Sequence, residues 1–149
     1  MKIKEQEITI EEILDHWEQG KTSLDWRPLT IKGKGEWLRA CLSWTGLPQQ
    51  RISSFNYIID GNQVTADLDF YCLLGETFFG YRGYFGQDSH GFNDCFTEIL
   101  IHEESKVAVD KGAKVIIKSS GHLMEVLTED ILSEILKSFS GHGFVVDLD

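Results

Sequence analysis

Gly83-Tyr84-Phe85-Gly86-Gln87-Asp88-Ser89-His90-Gly91-Phe92-Asn93-Asp94-Cys95-Phe96 is the stretch on which the fold of this chain turns. Glycines and aromatics from Gly80 to Gly86 have the composition of a loop. Asp88 or Ser89 then supplies a helix start, and the helical pattern continues to about Ile101. At helical spacing Phe92, Cys95, Phe96 and Ile99 fall on one apolar stripe. His90, Asp94, Thr97 and Glu98 fall on the other side. One face of this helix is therefore expected in a core, and the other presents carboxylates beside an aromatic loop. By pattern alone that second face is an ordinary solvated one.

Outward from this segment the elements alternate. Upstream, Phe55 to Ile59 is a short apolar strand ending in the turn signal Asp60-Gly61. Thr65 is expected to cap a helix carrying Leu68, Phe70, Tyr71, Leu74 and Phe78. Downstream, Val115-Ile116-Ile117 is a buried-strand pattern. Thr128 is expected to cap a helix with Ile131, Leu132, Ile135, Leu136 and Phe139, ended by Gly141-His142-Gly143. Phe144 to Leu148 gives a last strand. The order is strand, two helices, strand, helix, strand. Short strands joined through helices imply an α/β domain over 55–149 with a small three-stranded parallel sheet flanked by helices.

Residues 1–54 read as a mostly helical extension packed on that domain. Thr9 and Glu12 have capping-box spacing, and Ile10, Ile13, Leu14 and Trp17 follow at helical spacing. A second helix is expected from about Gly35 to Trp44, with Trp37, Leu38, Cys41 and Leu42 on one side. Gly46-Leu47-Pro48 is a stop signal. Pro28 and Pro48 lie outside both helices. Trp17, Trp26, Trp37 and Trp44 are all the tryptophan of the chain, which argues for packing rather than a loose tail.

Net charge is −10 and unevenly placed. Residues 1–54 hold 8 acidic and 8 basic side chains, whereas residues 55–149 hold 16 acidic and 6 basic. Such a surface repels phosphate backbones and attracts basic partners. The start of the chain lacks a signal-peptide pattern and no run is long enough for a membrane span, so a cytoplasmic protein that binds neither nucleic acid nor membrane is expected. Cys41, Cys72 and Cys95 read as reduced thiols. No two of the five histidines are four residues apart, so no metal site is expected. His90 and Cys95 fall roughly 140° apart around a helix, which separates them as a nucleophile pair. The chain carries no phosphate-loop or nucleophile-elbow motif, and neither catalysis nor a cofactor is expected.

The quoted segment resembles the signature of the barstar family. That signature is an aromatic pair and glycine, a polar helix start, and Asp-(Ala or Gly)-x-x-Asp-(Cys or Ala)-Leu. Tyr84-Phe85-Gly86 matches its first part and Asn93-Asp94-Cys95-Phe96 its last. Ile59-Asp60-Gly61 and the terminal strand Phe144–Leu148 match its first and last strands, so the resemblance covers about 55–149. It implies an immunity or antitoxin protein whose helix and preceding loop occlude the active site of a basic ribonuclease, or another nuclease toxin, one to one. It places Tyr84, Gln87, Asp88, His90, Asn93, Asp94, Thr97 and Glu98 at the interface, with Asp94 at the position of its most important acid. Two features depart from the family. His90 stands where the first acid is expected, and the last helix offers only Glu134, Lys137 and Ser138 near the place of a supporting glutamate. These departures motivate the alternative of a non-inhibitory protein-binding module of the same fold with a different partner.

Overall fold

The computed structural model describes residues 7–47, 56–103, 113–127, 129–141 and 143–149. Strands β1 (Asn56–Asp60), β2 (Lys114–Lys118) and β3 (Val145–Leu148) form one parallel sheet in the order β1-β2-β3. Tyr57 is in register with Val115 and Val146, and Ile59 with Ile117 and Leu148. Helices α1 (Ile10–Glu18) and α2 (Ile31–Thr45) precede the sheet. Helices α3 (Asp67–Phe79) and α4 (Ser89–Glu103) lie between β1 and β2, and α5 (Ser120–Val126) and α6 (Glu129–Gly141) between β2 and β3. The α/β class and the flanked three-stranded parallel sheet are as the sequence implies.

Tyr57, Ile59, Val115 and Ile117 are buried on one face of the sheet, beneath the helices. Tyr57 stacks on Phe78 of α3 at 4.2 Å between ring centroids. Phe78 stacks in turn on Phe139 of α6, and Phe144, just before β3, meets Phe139 edge-on. On the opposite face Ile58 is 56% exposed, between Lys114 and Lys118 on the neighbouring strand and Asn56 on its own. The alternation places one face in the core and leaves the other open among the described residues.

The elements differ from expectation in three places. The second helix begins at Ile31, not Gly35, because the Thr30 hydroxyl accepts the Gly33 N–H at 3.0 Å and caps it. Lys32-Gly33-Lys34-Gly35 hid that turn, since glycine discourages helix and the lysines show no apolar periodicity. Thr65 is not the cap of α3. Ala66 holds that position, and the carboxylate of Asp69 accepts the N–H groups of Thr65 and Ala66 and the Thr65 hydroxyl. The seven-residue α5 was not anticipated; it is pinned by Ser120, whose N–H and hydroxyl both donate to the Asp149 carbonyl. The turn after β1 is a 3-10 turn, Gly61–Gln63, in which Asp60 accepts the Asn62 N–H. The Thr9–Glu12 capping box and the Gly46 stop of α2 are present as expected. Phe55, Pro48, Thr128 and His142 lie outside the described residues.

The extension is joined to the domain by polar links and a tryptophan cluster. Lys34 Nζ meets Asp69 Oδ1 at 2.6 Å, with the Asp69 side chain 1% exposed. Arg27 reaches Glu76 of α3 through both terminal nitrogens, at 2.5 and 3.1 Å. Trp17 Nε1 donates to the Tyr81 hydroxyl at 3.0 Å, and that hydroxyl donates to the Leu24 carbonyl. Trp17 packs edge-on against Trp37, Trp44 and Tyr81, and Arg82 lies over Trp44 at 4.9 Å.

Burial alone would raise the pKa of Asp69; the Lys34 ammonium and the bonds from Thr65 outweigh it and hold the carboxyl below its ordinary value. A carboxyl with a folded pKa below its unfolded one stabilises the fold above the unfolded value and loses that contribution as pH falls through the folded one. Stability should therefore drop on acidification below about pH 4. Lys34→Met leaves Asp69 buried without its cation and should cost about 3–5 kcal/mol at neutral pH, read from urea unfolding. Unchanged stability in that variant would show that the ion pair does not hold the extension in place.

Candidate functional site

The candidate site begins with the turn that delivers the chain into α4. Gly86 has φ +91°, a left-handed conformation, and a Cβ there would collide with the backbone of Gly91 and Phe92. The turn sends Phe85 inward, where it stacks on Phe92 at 4.4 Å and meets Phe78 and Phe96 edge-on. Upstream, Gly83 and Gly75 of α3 bring their backbones so close that neither position has room for a Cβ. Backbone contact and the edge-on pair of Phe78 and Phe85 thus fix the loop to α3, and the stack of Phe85 on Phe92 fixes α4 to the loop.

Asp88 caps α4. Its Oδ1 accepts the Gly91 N–H at 2.7 Å and its carbonyl accepts the Phe92 N–H. Phe92, Cys95, Phe96 and Ile99 are buried, as their spacing predicts. On the other side Asp88, His90, Asn93, Asp94 and Thr97 are exposed, and Gln87 and Glu98 are partly exposed. The Thr97 hydroxyl donates to the Asn93 carbonyl at 3.0 Å, and the Ser138 hydroxyl of α6 donates to Asn93 Oδ1 at 2.8 Å. The two exposed carboxylates of this face, Asp88 and Asp94, are thus presented from a helix whose rotation is set by the core beneath it.

Tyr84 is a correction. It was expected to present its ring to a partner, but it is 5% exposed. The glycine backbone contact draws the loop down and lays the ring under the start of α4. Burial, then the nearby Cys95, Asp88 and Asp94, push its hydroxyl up to about 12. In the free protein the solvent-facing part of the site is therefore α4 and Gln87, not the aromatic loop.

Cys95 is fully buried, and burial followed by the charges of Asp94 and Glu98 pushes its thiol up to about 12. Cys41 is likewise pushed up to about 12 by burial, and Cys72 is raised well above its ordinary value. All three cysteines are free. Among the described residues no group of three His, Cys, Asp or Glu side chains is arranged to hold a metal ion, and no helix is long and apolar enough to cross a membrane.

The sequence did not reveal a cleft at the edge of this site. It is lined by Ile31 of α2, Ala66, Asp67, Leu68 and Tyr71 of the α3 region, Gln87, Asp88 and Ser89 at the start of α4, and Ile131 of α6. These come from four parts of the chain, so no local pattern could have grouped them. Glu134, one turn before Ser138 on α6, also bears on it: burial first, then Asp88, Asp67 and Glu134, push the Tyr71 hydroxyl up to about 12.

Two measurements follow. Gly86→Ala should cost about 1–3 kcal/mol in chemical unfolding, because it forces a side chain into a left-handed turn with no room; an unchanged midpoint would show that the turn does not fix α4. The three thiols should be silent to a disulfide reagent at pH 8 in the native protein and react together on unfolding, and fast native labelling at Cys95 would contradict its burial.

No protein-family model, curated protein or solved structure matches the chain.

Proposed function

We propose that this chain is an inhibitor protein of the immunity or antitoxin kind, which binds a basic ribonuclease and occludes its active site with the exposed face of α4. The observation that carries the reading is the acidic face itself. Asp94 stands exposed with Asp88 six residues before it, on a helix locked by Phe85 and Phe92, in the segment 55–149 with its 16 acidic and 6 basic residues. The resemblance of residues 83–96 to the barstar signature supports it, and gives Asp94 the leading role.

The physical chemistry is that of a substrate mimic. Carboxylates held on a rigid helix accept charge-assisted bonds from the arginine, lysine or histidine groups that a ribonuclease keeps for phosphate. Excess negative charge speeds encounter, and the desolvated pairs then govern how long the complex lives. Because α4 is fixed by its packing, little side-chain or backbone order has to be gained on binding.

Within the α4 site, Gln87, Asp88, His90, Asn93, Asp94, Thr97 and Glu98 are the contact residues of this reading. Tyr84 acts from beneath them by supporting the start of the helix. A second reading, a protein-binding module of the same fold with a non-nuclease partner, is favoured by the histidine at position 90 and by the tie between Asn93 and Ser138. Both make the face less like a phosphate mimic.

Tagged protein and its Asp94→Ala, Glu98→Ala variant should be used side by side as baits in cells that produce the chain, with captured proteins assayed for RNA cleavage after release. The intact bait alone should retain a basic nuclease whose activity returns on dissociation, and the variant should bind it at least about tenfold more weakly, mainly through faster dissociation. Equal retention by both baits would remove α4 from the interface, and reproducible capture of a protein without nuclease activity would favour the second reading.

A further inference from the structure

The cleft between the extension and the start of α4 has the make-up of a receptor for a long cationic side chain. Its volume is about 550 Å³, within the range of sites that enclose a ligand group. Ile31, Leu68 and Ile131 supply apolar surface over the buried Tyr71, and Asp67 and Asp88 supply charge, while among the described residues no cationic one lines it. Ile31 is 64% exposed although it begins a helix whose following residues Gly33, Lys34, Glu36, Trp37 and Leu38 are buried. A large apolar side chain held in water beside two carboxylates is matched by a group that is apolar along its stem and cationic at its tip.

We propose that this cleft is a second contact of the inhibitory face and that its occupant is an arginine of a basic loop on the protein partner, with its stem on Ile31 and Leu68 and its guanidinium at Asp67 and Asp88. The inference rests on the proposal that the chain binds a basic protein, and it names where the extension enters that contact. Arginine suits the site better than lysine. Its planar group pairs with carboxylates in two places at once and gives up its water more readily than an ammonium. The negative field at the Tyr71 hydroxyl, set by Asp88, Asp67 and Glu134 after burial, agrees with a site built for a cation. The Asp88 oxygen Oδ1 is engaged with the Gly91 N–H, yet a carboxylate retains further acceptor capacity.

Ile31 and Asp67 belong to the cleft and not to the α4 face, which makes the two contacts separable. The probe is a fluorescein-labelled hexa-arginine peptide, followed by anisotropy at low salt, with hexalysine as comparison. The intact chain should bind hexa-arginine more tightly than hexalysine. Ile31→Ser, Asp67→Asn should weaken hexa-arginine by about fivefold and narrow that preference. Glu18→Gln should change it less than twofold, because it removes the same charge from a different acidic hollow, lined by Glu11, Glu12, Leu14, Asp15 and Glu18. Asp67→Asn alone should give part of the loss, and since Asp67 is at the surface of α3 its fold is checked by an unchanged unfolding midpoint. Absence of hexa-arginine binding, or the same affinity in the intact chain and in Ile31→Ser, Asp67→Asn, would overturn the cleft contact. If Asp94→Ala, Glu98→Ala then still lost nuclease binding, the α4 reading would stand without the cleft. Loss in the cleft variant with none in the α4 variant would leave the cleft and remove α4.

Discussion

The stack of Phe85 on Phe92 fixes the orientation of the exposed face of α4. It ties the loop to α4 and, through Phe78, Phe96 and Phe139, ties both to α3 and α6. A helix rotated by one residue, about 100°, would carry Asp94 from solvent toward the core. The aromatic cluster excludes that rotation, because it would have to expel rings packed at 4.4 to 6.3 Å on several sides. Gly86 permits the stack, since it alone lets the chain reverse tightly enough to bury Phe85 and then start a helix three residues later.

That constraint explains which parts of the site were legible in the sequence. The apolar stripe of α4 and its acidic opposite face were read correctly from spacing, and so was the burial of Cys95. Each follows from a period within one element. Tyr84 could not be read that way. Whether a loop aromatic points out or in depends on how closely the loop approaches α3, and that approach is set by Gly75, nine residues before Tyr84 in another element. The start of α2 and the cap of α3 were misplaced for a related reason. Thr30 and Asp69 act through hydrogen bonds to backbone groups that the apolar pattern does not register.

The extension is part of the same cooperative structure. One core cluster contains Ile13, Trp17 and Trp37 along with Tyr57, Phe78 and Phe139. Its polar links are unequal. Arg27 and Glu76 are each about one third exposed, so their attraction is screened by water even with two bonds. Lys34 and Asp69 are shielded, and there the attraction and the cost of removing water are both large. The carboxylate is already committed to the Thr65 and Ala66 N–H groups that begin α3, and burial of those bonds demands a cation nearby. Lys34 therefore acts as a register pin: α2 can dock on α3 only where its ammonium meets Asp69.

That pin has a consequence at the surface. Ile31 lies three residues before Lys34, hence on nearly the same side of α2 and one turn closer to its start. Asp69 lies two residues after Asp67 at the start of α3. Docking Lys34 on Asp69 thus carries Ile31 to the rim occupied by Asp67 and Leu68, where the cleft is found. The near-neutral extension contributes Ile31 to the cleft, and the acidic domain contributes Leu68, Ile131 and both carboxylates. A surface assembled in this way discriminates by shape as well as by charge. Carboxylates on a solvated helix attract any cation, whereas carboxylates beside an apolar wall favour the cation whose stem the wall fits. Under the proposed cleft contact, the extension, neutral in charge and rich in tryptophan, would add selectivity to a domain whose net charge alone would attract without choosing.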